Sequence, residues 1–195
     1  MENYATCCIN TRLRLDLPPM SLAHAVLTSL LEKATSGYDL ARRFDKSIGY
    51  FWHATHQQIY RELARMEVAG WIESSSAPDA GKTRKREYRV LPAGRAELIR
   101  WAHEPSPPMD LRDELMVKLR ADAALREVDL RPQIRSQIEQ HQEKLAHYRT
   151  IEQRDFLHGG ALTREARIQH MILKKGILYE EASIGWAQEM LDVLG

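Results

Sequence analysis

The sequence has little cysteine, no long apolar run and no glycine-rich loop, and each shortage removes a class of protein. Cys7 and Cys8 are the only cysteines, and they are adjacent. A vicinal pair cannot staple two elements together, and it lacks the company of a metal cage. Two free thiols of a reducing compartment is the plainer reading. No apolar stretch approaches the roughly 18 residues that span a bilayer. The N-terminus also lacks a charged start followed by an apolar block. These features together predict a cytoplasmic protein with no membrane partner. Without a phosphate-cradling glycine loop there is no nucleotide signature. Ser74-Ser75-Ser76 does not sit in the strand-to-helix turn of a nucleophile elbow. His53-x-x-His56 has no second pair nearby to complete a metal site, and Asp113-Glu114 and Glu180-Glu181 read as solvated faces. Catalysis, a cofactor and a metal are therefore not expected.

What is present is enough for a packed interior. The chain has 195 residues and 44% hydrophobic content, which suits one domain or two small ones. The net charge of +1 hides an asymmetry: residues 20–103 carry 13 Lys+Arg against 9 Asp+Glu, and residues 104–195 carry 13 against 16. A basic half joined to an acidic half suggests a polyanion-binding module attached to something else.

Residues 1–19 show no clear period and end in Leu17-Pro18-Pro19, so a poorly ordered extension is expected, with a packed N-terminal arm as the alternative. Ser21 can cap a helix to about Lys33, with Leu22, Val26, Leu27, Leu30 and Leu31 as its apolar stripe. After a turn at Thr35-Ser36-Gly37, a second helix runs to about Asp45. Its Tyr38, Leu40, Ala41 and Phe44 should point inward, and its Arg42 and Arg43 outward. Thr55 opens a third helix through a T-x-x-Q capping box with Gln58. Ile59, Leu63 and Met66 give that helix one buried face, and Gly70 stops it. A strand from Trp71, a basic turn and a second strand through Leu91 follow, and Pro92 starts a fourth helix. Glu104-Pro105-Ser106-Pro107-Pro108 cannot continue a helix, so residues 104–110 are read as a linker. Beyond it, a short helix over 111–122 precedes two long ones. The first carries Ile134, Ile138, His141, Leu145 and Tyr148 at alternating steps of 4 and 3, the pattern of a helix packed along another helix. Gly159-Gly160 ends it. The second, from about Thr163 to Leu194, shows a broad apolar face of Ile168, Met171, Ile172, Leu178, Tyr179, Ala182, Trp186, Met190 and Val193.

The order helix, glycine stop, strand, basic turn, strand is the second half of a winged helix-turn-helix. The expected fold is mainly α with a small β-hairpin: a winged helix-turn-helix over 20–103 and an α-helical dimerisation domain over 111–195. A recognition helix presents polar side chains to base edges while its other face is held by the core. His56, Gln57, Tyr60 and Arg61 lie opposite Ile59, Leu63 and Met66. Gln can pair with adenine and Arg with guanine, while Thr55 and Tyr60 suit phosphate. An ordinary solvated helix face is the competing reading. Lys82, Arg84, Lys85 and Arg86 crowd the turn, a density of cations that favours an anionic surface. Helix and wing in this order predict double-stranded DNA as the partner, with a protein-interaction adaptor docked on an acidic partner as the rival.

Three stretches carry a family resemblance: S21-L-A-H-A-V-L-T-S-L-L with S36-G-Y-D-L-A-R-R-F, T55-H-Q-Q-I-Y-R-E-L-A-R-M-E-V-A-G-W-I, and R86-E-Y-R-V-L-P-A-G-R-A-E-L. Together they resemble the PadR family of transcriptional regulators. The second half, from about Leu111, looks like the helical C-terminal domain of its longer subgroup, related to virulence activators. The resemblance implies a homodimer on pseudo-palindromic promoter DNA, most often as a repressor, with transcriptional activation through the same contacts as an alternative. It places DNA contacts at Thr55, Gln57, Gln58, Tyr60, Arg61 and the wing from Lys82 to Arg86, and adds phosphate contacts from Tyr38 and Lys46. Some relatives respond to phenolic acids or other small hydrophobic effectors, so an aromatic effector is an expected partner, in a pocket between the domains or at the dimer interface. Trp52, Trp101, Tyr148 and Trp186 are candidates to line it, and core packing is the alternative for all four. One departure is Leu91, where relatives usually have a capping Thr before P-A-G-R.

The second half independently asks for a partner. Its stripes are wider than a lone hairpin can bury, and an exposed apolar surface of that size marks an interface. The dimer is expected to pack through Ile134, Ile138, Leu145, Tyr148, Ile172, Tyr179, Trp186 and Met190.

Overall fold

The computed structural model describes residues 22–45, 48, 52, 54–76, 86–106 and 112–195. Expectations for residues 1–19, Lys46, His53 and the wing tip Lys82, Arg84 and Lys85 fall outside the described residues. The chain divides into two compact units, Met1–Pro108 and Met109–Gly195.

In the first unit, α1 (Leu22–Glu32), β1 (Thr35–Ser36), α2 (Gly37–Asp45), α3 (His56–Val68), β2 (Ile72–Ser76), β3 (Arg86–Val90) and α4 (Pro92–Ala102) follow one another. The strands form an antiparallel sheet in the order β1-β3-β2. Thr35-Ser36 is more than the turn its composition suggests. Thr35 pairs with Tyr88 and Ser36 with Glu87, so the hairpin gains a third strand. A two-residue strand has no period to read, which is why sequence alone misses it. Ser36 also caps α2: its hydroxyl accepts from the Asp39 amide at 3.2 Å and donates to the Asp39 carboxylate at 2.7 Å.

One core holds this unit. Val26, Leu27, Leu40, Phe44, Ile59, Leu63, Met66 and Ile72 are its main fully buried members, each contributing on the order of 1.5–3 kcal/mol by burial. Leu31 is exposed, because it sits one step past the Leu22-Val26-Leu30 row. Tyr38 is exposed rather than inward, and Arg43 is half-buried rather than outward. The Arg43 guanidinium reaches the Ser29 carbonyl and donates to the Lys33 carbonyl at 2.9 Å. It therefore braces the end of α1, sharing the Ser29 carbonyl with the Lys33 amide and adding a bond to the carbonyl just past the helix.

The second unit contains α5 (Glu114–Leu125), α6 (Arg131–Phe156) and α7 (Arg164–Leu194). Asp113 is not a solvated face: its carboxylate accepts from the Leu115 amide at 2.8 Å and caps α5. Thr163 caps α7 through the Ala166 amide at 3.2 Å. The α6 row Ile134, Ile138, His141, Leu145, Tyr148, Ile151 and Glu152 is buried or half-buried throughout. Glu180 departs most from expectation. It is 4% exposed and bonds the His141 ring across the α6–α7 seam. Its neighbour Glu181 pairs with Arg149, and His170 meets Glu152 at 2.7 Å while stacking on Phe156. No helix among the described residues is long and apolar enough to cross a membrane, and no described group of His, Cys, Asp or Glu could hold a metal ion.

Candidate nucleic-acid interface

The site is built around α3. Thr55 opens the helix in an extended conformation and forms a reciprocal capping box with Gln58. The Gln58 amide donates to the Thr55 hydroxyl at 3.2 Å, and the Thr55 amide donates to the Gln58 carboxamide oxygen at 2.8 Å. That oxygen is therefore already committed to the cap. Ile59, Leu63 and Met66 are fully buried, whereas Thr55, His56, Gln57, Gln58, Tyr60 and Arg61 are exposed. Such segregation is what a helix clamped by its core and offered to a groove requires. The helix N-terminus adds a positive dipole end beside these side chains.

A second exposed row comes from α2. Tyr38 is 57% exposed, and the Arg42 guanidinium lies 5.7 Å from its ring centroid. This cation–π contact presents Arg42 beside Tyr38. Arg42 keeps the outward position its sequence predicts and adds an exposed cation beside Tyr38. Gly37 makes the approach of the two helices possible: a Cβ there would lie 2.6 Å from Cε1 of Tyr60. Tyr60 thus stands directly over the start of α2.

The hairpin is tied to α3 at its base. Ser74 donates to the Glu67 carboxylate at 2.5 Å, and Arg86 donates to the same oxygen at 3.0 Å. Arg89, on the other face of β3, pairs with Glu73 directly across the ladder. Burial pushes the Tyr88 phenol up from its ordinary value. Behind the hairpin, the Leu91 amide donates to the Trp71 carbonyl at 2.9 Å. Gly94 lies so close to that carbonyl that a Cβ would sit 2.3 Å from the oxygen. The glycine of P-A-G-R therefore seats α4 against the start of β2. On the α1–α4 side, His24 stacks on Trp101 at 4.6 Å and lies 3.1 Å from Glu97. Arg100, and then His24, hold the Glu97 carboxyl down at about 2.

The four aromatics considered as effector contacts are all engaged in packing. Trp52 lies against the first core and Trp186 against the second. Trp101 stacks on His24, and Tyr148 is 7% exposed and pressed on Gly176. The residues expected at a dimer contact fall on two different surfaces. Ile134 is fully buried within its own chain, Tyr148 nearly so, and Ile138, Trp186 and Met190 pack against the second core. Ile134 has no surface to give a partner, because the α6 row that suggested an intermolecular seam is the intramolecular α6–α7 seam. Leu145, on the same row, is half-buried. Ile172 and Tyr179 remain exposed on α7.

Fold and site together define a winged-helix protein with an appended helical unit. Residues 26–100 match the PadR-like family of transcriptional regulators, and residues 111–195 match the C-terminal family of the virulence activator alpha proteins. A probable transcriptional regulator of Mycobacterium tuberculosis, Rv1176c, is 42% identical over 185 residues, covering 90% of this chain and 98% of the relative. The structure of the Vibrio cholerae virulence activator AphA aligns at 33% identity with a TM-score of 0.75, over 89% of this chain and 98% of that one. PadR of Bacillus subtilis, a negative transcriptional regulator, is 25% identical over 177 residues, 89% of this chain and 97% of its own. Its structure in complex with operator DNA shares the fold, at 24% identity and a TM-score of 0.80 over 91% of this chain and 99% of that one. The chain belongs to the PadR-like family of transcriptional regulators.

Proposed function

We propose that this chain acts as a homodimeric, sequence-specific DNA-binding repressor on a pseudo-palindromic promoter site. One observation carries the reading: α3 is divided into a fully buried apolar face and an exposed face of Thr55, His56, Gln57, Tyr60 and Arg61. Gln57 and Arg61 are assigned to base edges, and Thr55, Tyr60, Tyr38 and Lys46 to phosphates. Lys82, Arg84 and Lys85 extend the phosphate contacts along the wing. Repression follows the negative regulator of B. subtilis. Activation through the same contacts is the second reading, supported by the likeness to AphA, a virulence activator. The position of the site relative to the promoter decides between them.

Dimerisation is proposed through α7. Its Ile177, Glu180 and Ala187 are buried, while Ile168, Met171, Ile172, Leu178 and Tyr179 form an exposed row on the opposite side. Ile168, Met171 and Ile172 group on one turn and Leu178 and Tyr179 two turns on, with the exposed Lys175 between them, so an apolar ridge broken by one cation lies on a helix whose other side is already covered. Two recognition helices about 34 Å apart would then match one turn of B-DNA. B. subtilis PadR has been solved with p-coumaric acid at 25% identity, and we extend that to a small aromatic effector here.

The test is a fluorescence-anisotropy titration of the purified chain against duplexes from its own upstream region, at about 50 and about 200 mM salt. DNA binding should fall steeply and linearly on a log–log plot. Gln57→Ala and Arg61→Ala should each reduce discrimination by about 1–3 kcal/mol. Arg84→Ala should weaken all duplexes alike and flatten the salt slope by about one unit. If the variants titrate like the wild type, the recognition assignment is wrong. A shallow, non-linear salt response would favour the adaptor reading.

A further inference from the structure

Arg86 was grouped by sequence with the wing cations, but its geometry separates it from them. Strand residues alternate between faces. In the β2–β3 ladder, Ile72 opposes Val90, Ser74 opposes Tyr88 and Ser76 opposes Arg86. Ile72 is 1% exposed and belongs to the core that α3 closes. Arg86 therefore shares the face of the hairpin that looks toward α3, and Arg89 takes the opposite face with Glu73. Glu67, on the last turn of α3, accepts from Ser74 of β2 and from Arg86 of β3 at one oxygen, Oε1. A single carboxylate thus joins three consecutive elements: the recognition helix and both strands of the wing. A charge-assisted bond of this kind is stronger and more directional than a neutral one.

We propose that Glu67 and Arg86 are positioning residues: a strut that sets the pitch of the wing against α3, with Arg86 not itself a phosphate contact. This rests on the DNA-binding reading above. The wing cations and the exposed face of α3 must meet one duplex at the same time, and a hairpin free to rock about its base would meet it in many registers. Fixing the base narrows those registers before DNA arrives. The pair is largely solvent-exposed, with side-chain exposures of 58% for Arg86 and 31% for Glu67, so its contribution to stability is small. Its expected effect is on recognition.

Two measurements on the full chain decide this. In the first, Arg86→Gln and Glu67→Gln are titrated against the specific duplex and a scrambled one across a salt series. A strut predicts that both variants lose the same factor of specific over non-specific binding, about threefold to fivefold. It also predicts that both salt slopes match the wild type, that thermal midpoints do not move, and that the charge swap Glu67→Arg/Arg86→Glu recovers most of the loss. A phosphate contact at Arg86 predicts instead that Arg86→Gln alone flattens the slope by about 0.9, that Glu67→Gln binds as well as wild type or better, and that the swap is the weakest of all. That pattern would overturn the proposal. The second measurement needs no DNA. Hydrogen exchange on the free protein should quicken at Ser74–Ser76 and Arg86–Tyr88 in both single variants, and unchanged exchange there would also overturn the strut. If the wild type binds no duplex at all, the DNA reading fails, and the exchange experiment still decides whether the strut exists.

Discussion

Among the described residues, twelve buried hydrophobic side chains of the winged-helix unit, from Ala23 to Ile72, join one core; in the helical unit Leu115, Leu130, Ile134 and Ala187 do so. The first unit gathers its buried apolar side chains into a single cluster. The second consists largely of two long helices, and its seam is laced with His141–Glu180, Arg149–Glu181 and His170–Glu152 pairs. The two His–Glu contacts are largely buried and Arg149–Glu181 is exposed; polar contacts across a seam define which residues face each other more than they add stability. The contrast teaches that α6 and α7 are matched to each other by polar contacts, and that the apolar ridge left on α7 is surplus to the single chain. On the dimer proposed above, one unit is self-sufficient and the other is completed by a second copy.

The largest expected effect tests the self-sufficient half. Phe44 is fully buried between helices, and Phe44→Ala should cost about 3–5 kcal/mol. Denaturant unfolding would show the loss as an early transition, and far-UV circular dichroism should retain the signal of α6 and α7. If those helices melted in the same early step, the two units would not be energetically separate.

Next in size is the ridge. Leu178→Asp with Tyr179→Asp places two carboxylates on residues that are 62% and 55% exposed in the single chain. Neither position belongs to its core, so the fold should survive. Sedimentation should nevertheless move from dimer toward monomer, with a dissociation constant raised about a hundredfold, or roughly 3 kcal/mol. The thermal midpoint of the wild-type helical unit should rise with protein concentration, and that dependence should vanish in the variant. A chain that sediments as a monomer before mutation would sink this half of the comparison.

How much of each half was legible follows from the same contrast. α3 could be read with its cap, buried face and glycine stop, because Thr55, Gln58, Ile59, Leu63, Met66 and Gly70 each obey a local rule. Strand β1 could not, because its reason lies fifty residues away in β3. Arg43 reads as an outward cation and Arg86 as one more wing cation for the same cause: the Ser29 carbonyl and Glu67 that hold them are contacts across the fold. In the second half the periodic stripe on α6 was legible, but not which helix would cover it. Period fixes a face and leaves its partner open, and Ile134, expected at a dimer contact, is buried in the core of its own chain. Glu180 failed in the opposite sense, since an acidic pair gives no local sign that one member will be buried against a histidine.

A smaller effect comes from acid. The Glu97 carboxyl is held at about 2 against an ordinary 4.5, chiefly by Arg100. A depressed carboxylate contributes stability that is complete above the unfolded value and is lost as pH falls through the folded one. Wild type should therefore lose this contribution between about 4.5 and about 2. Because Arg100 is half exposed, screening reduces it to about 1 kcal/mol. Glu97→Gln should be less stable than wild type at neutral pH by that amount, and the two should converge near pH 2. Since Glu97 lies in the winged-helix unit, the converging transition should be that unit's alone.

The smallest effect compares two helix starts within the same unit. α3 begins at Thr55 with a full capping box, whereas α4 begins at Leu91 with extended backbone and no side-chain hydrogen bond. Leu91 already has the geometry of a cap, its amide is held by Trp71, and Pro92 occupies the first helical position. Only the oxygen is lacking. Leu91→Thr should supply it to an otherwise unpaired amide of the first turn, worth about 1 kcal/mol on its own. Leu91 is half-buried, so losing part of its apolar side chain offsets some of that gain, and a net stabilisation of about 0.5 kcal/mol is expected. Leu91→Ala separates the two contributions, since it removes the apolar atoms without adding an acceptor and should destabilise. DNA affinity should not change in either variant, because α4 lies behind the hairpin rather than on the face that α3 presents. If Leu91→Thr proved no more stable than Leu91→Ala, the uncapped start of α4 would be filled by a contact stronger than a cap, and the contrast with α3 would be one of sequence only.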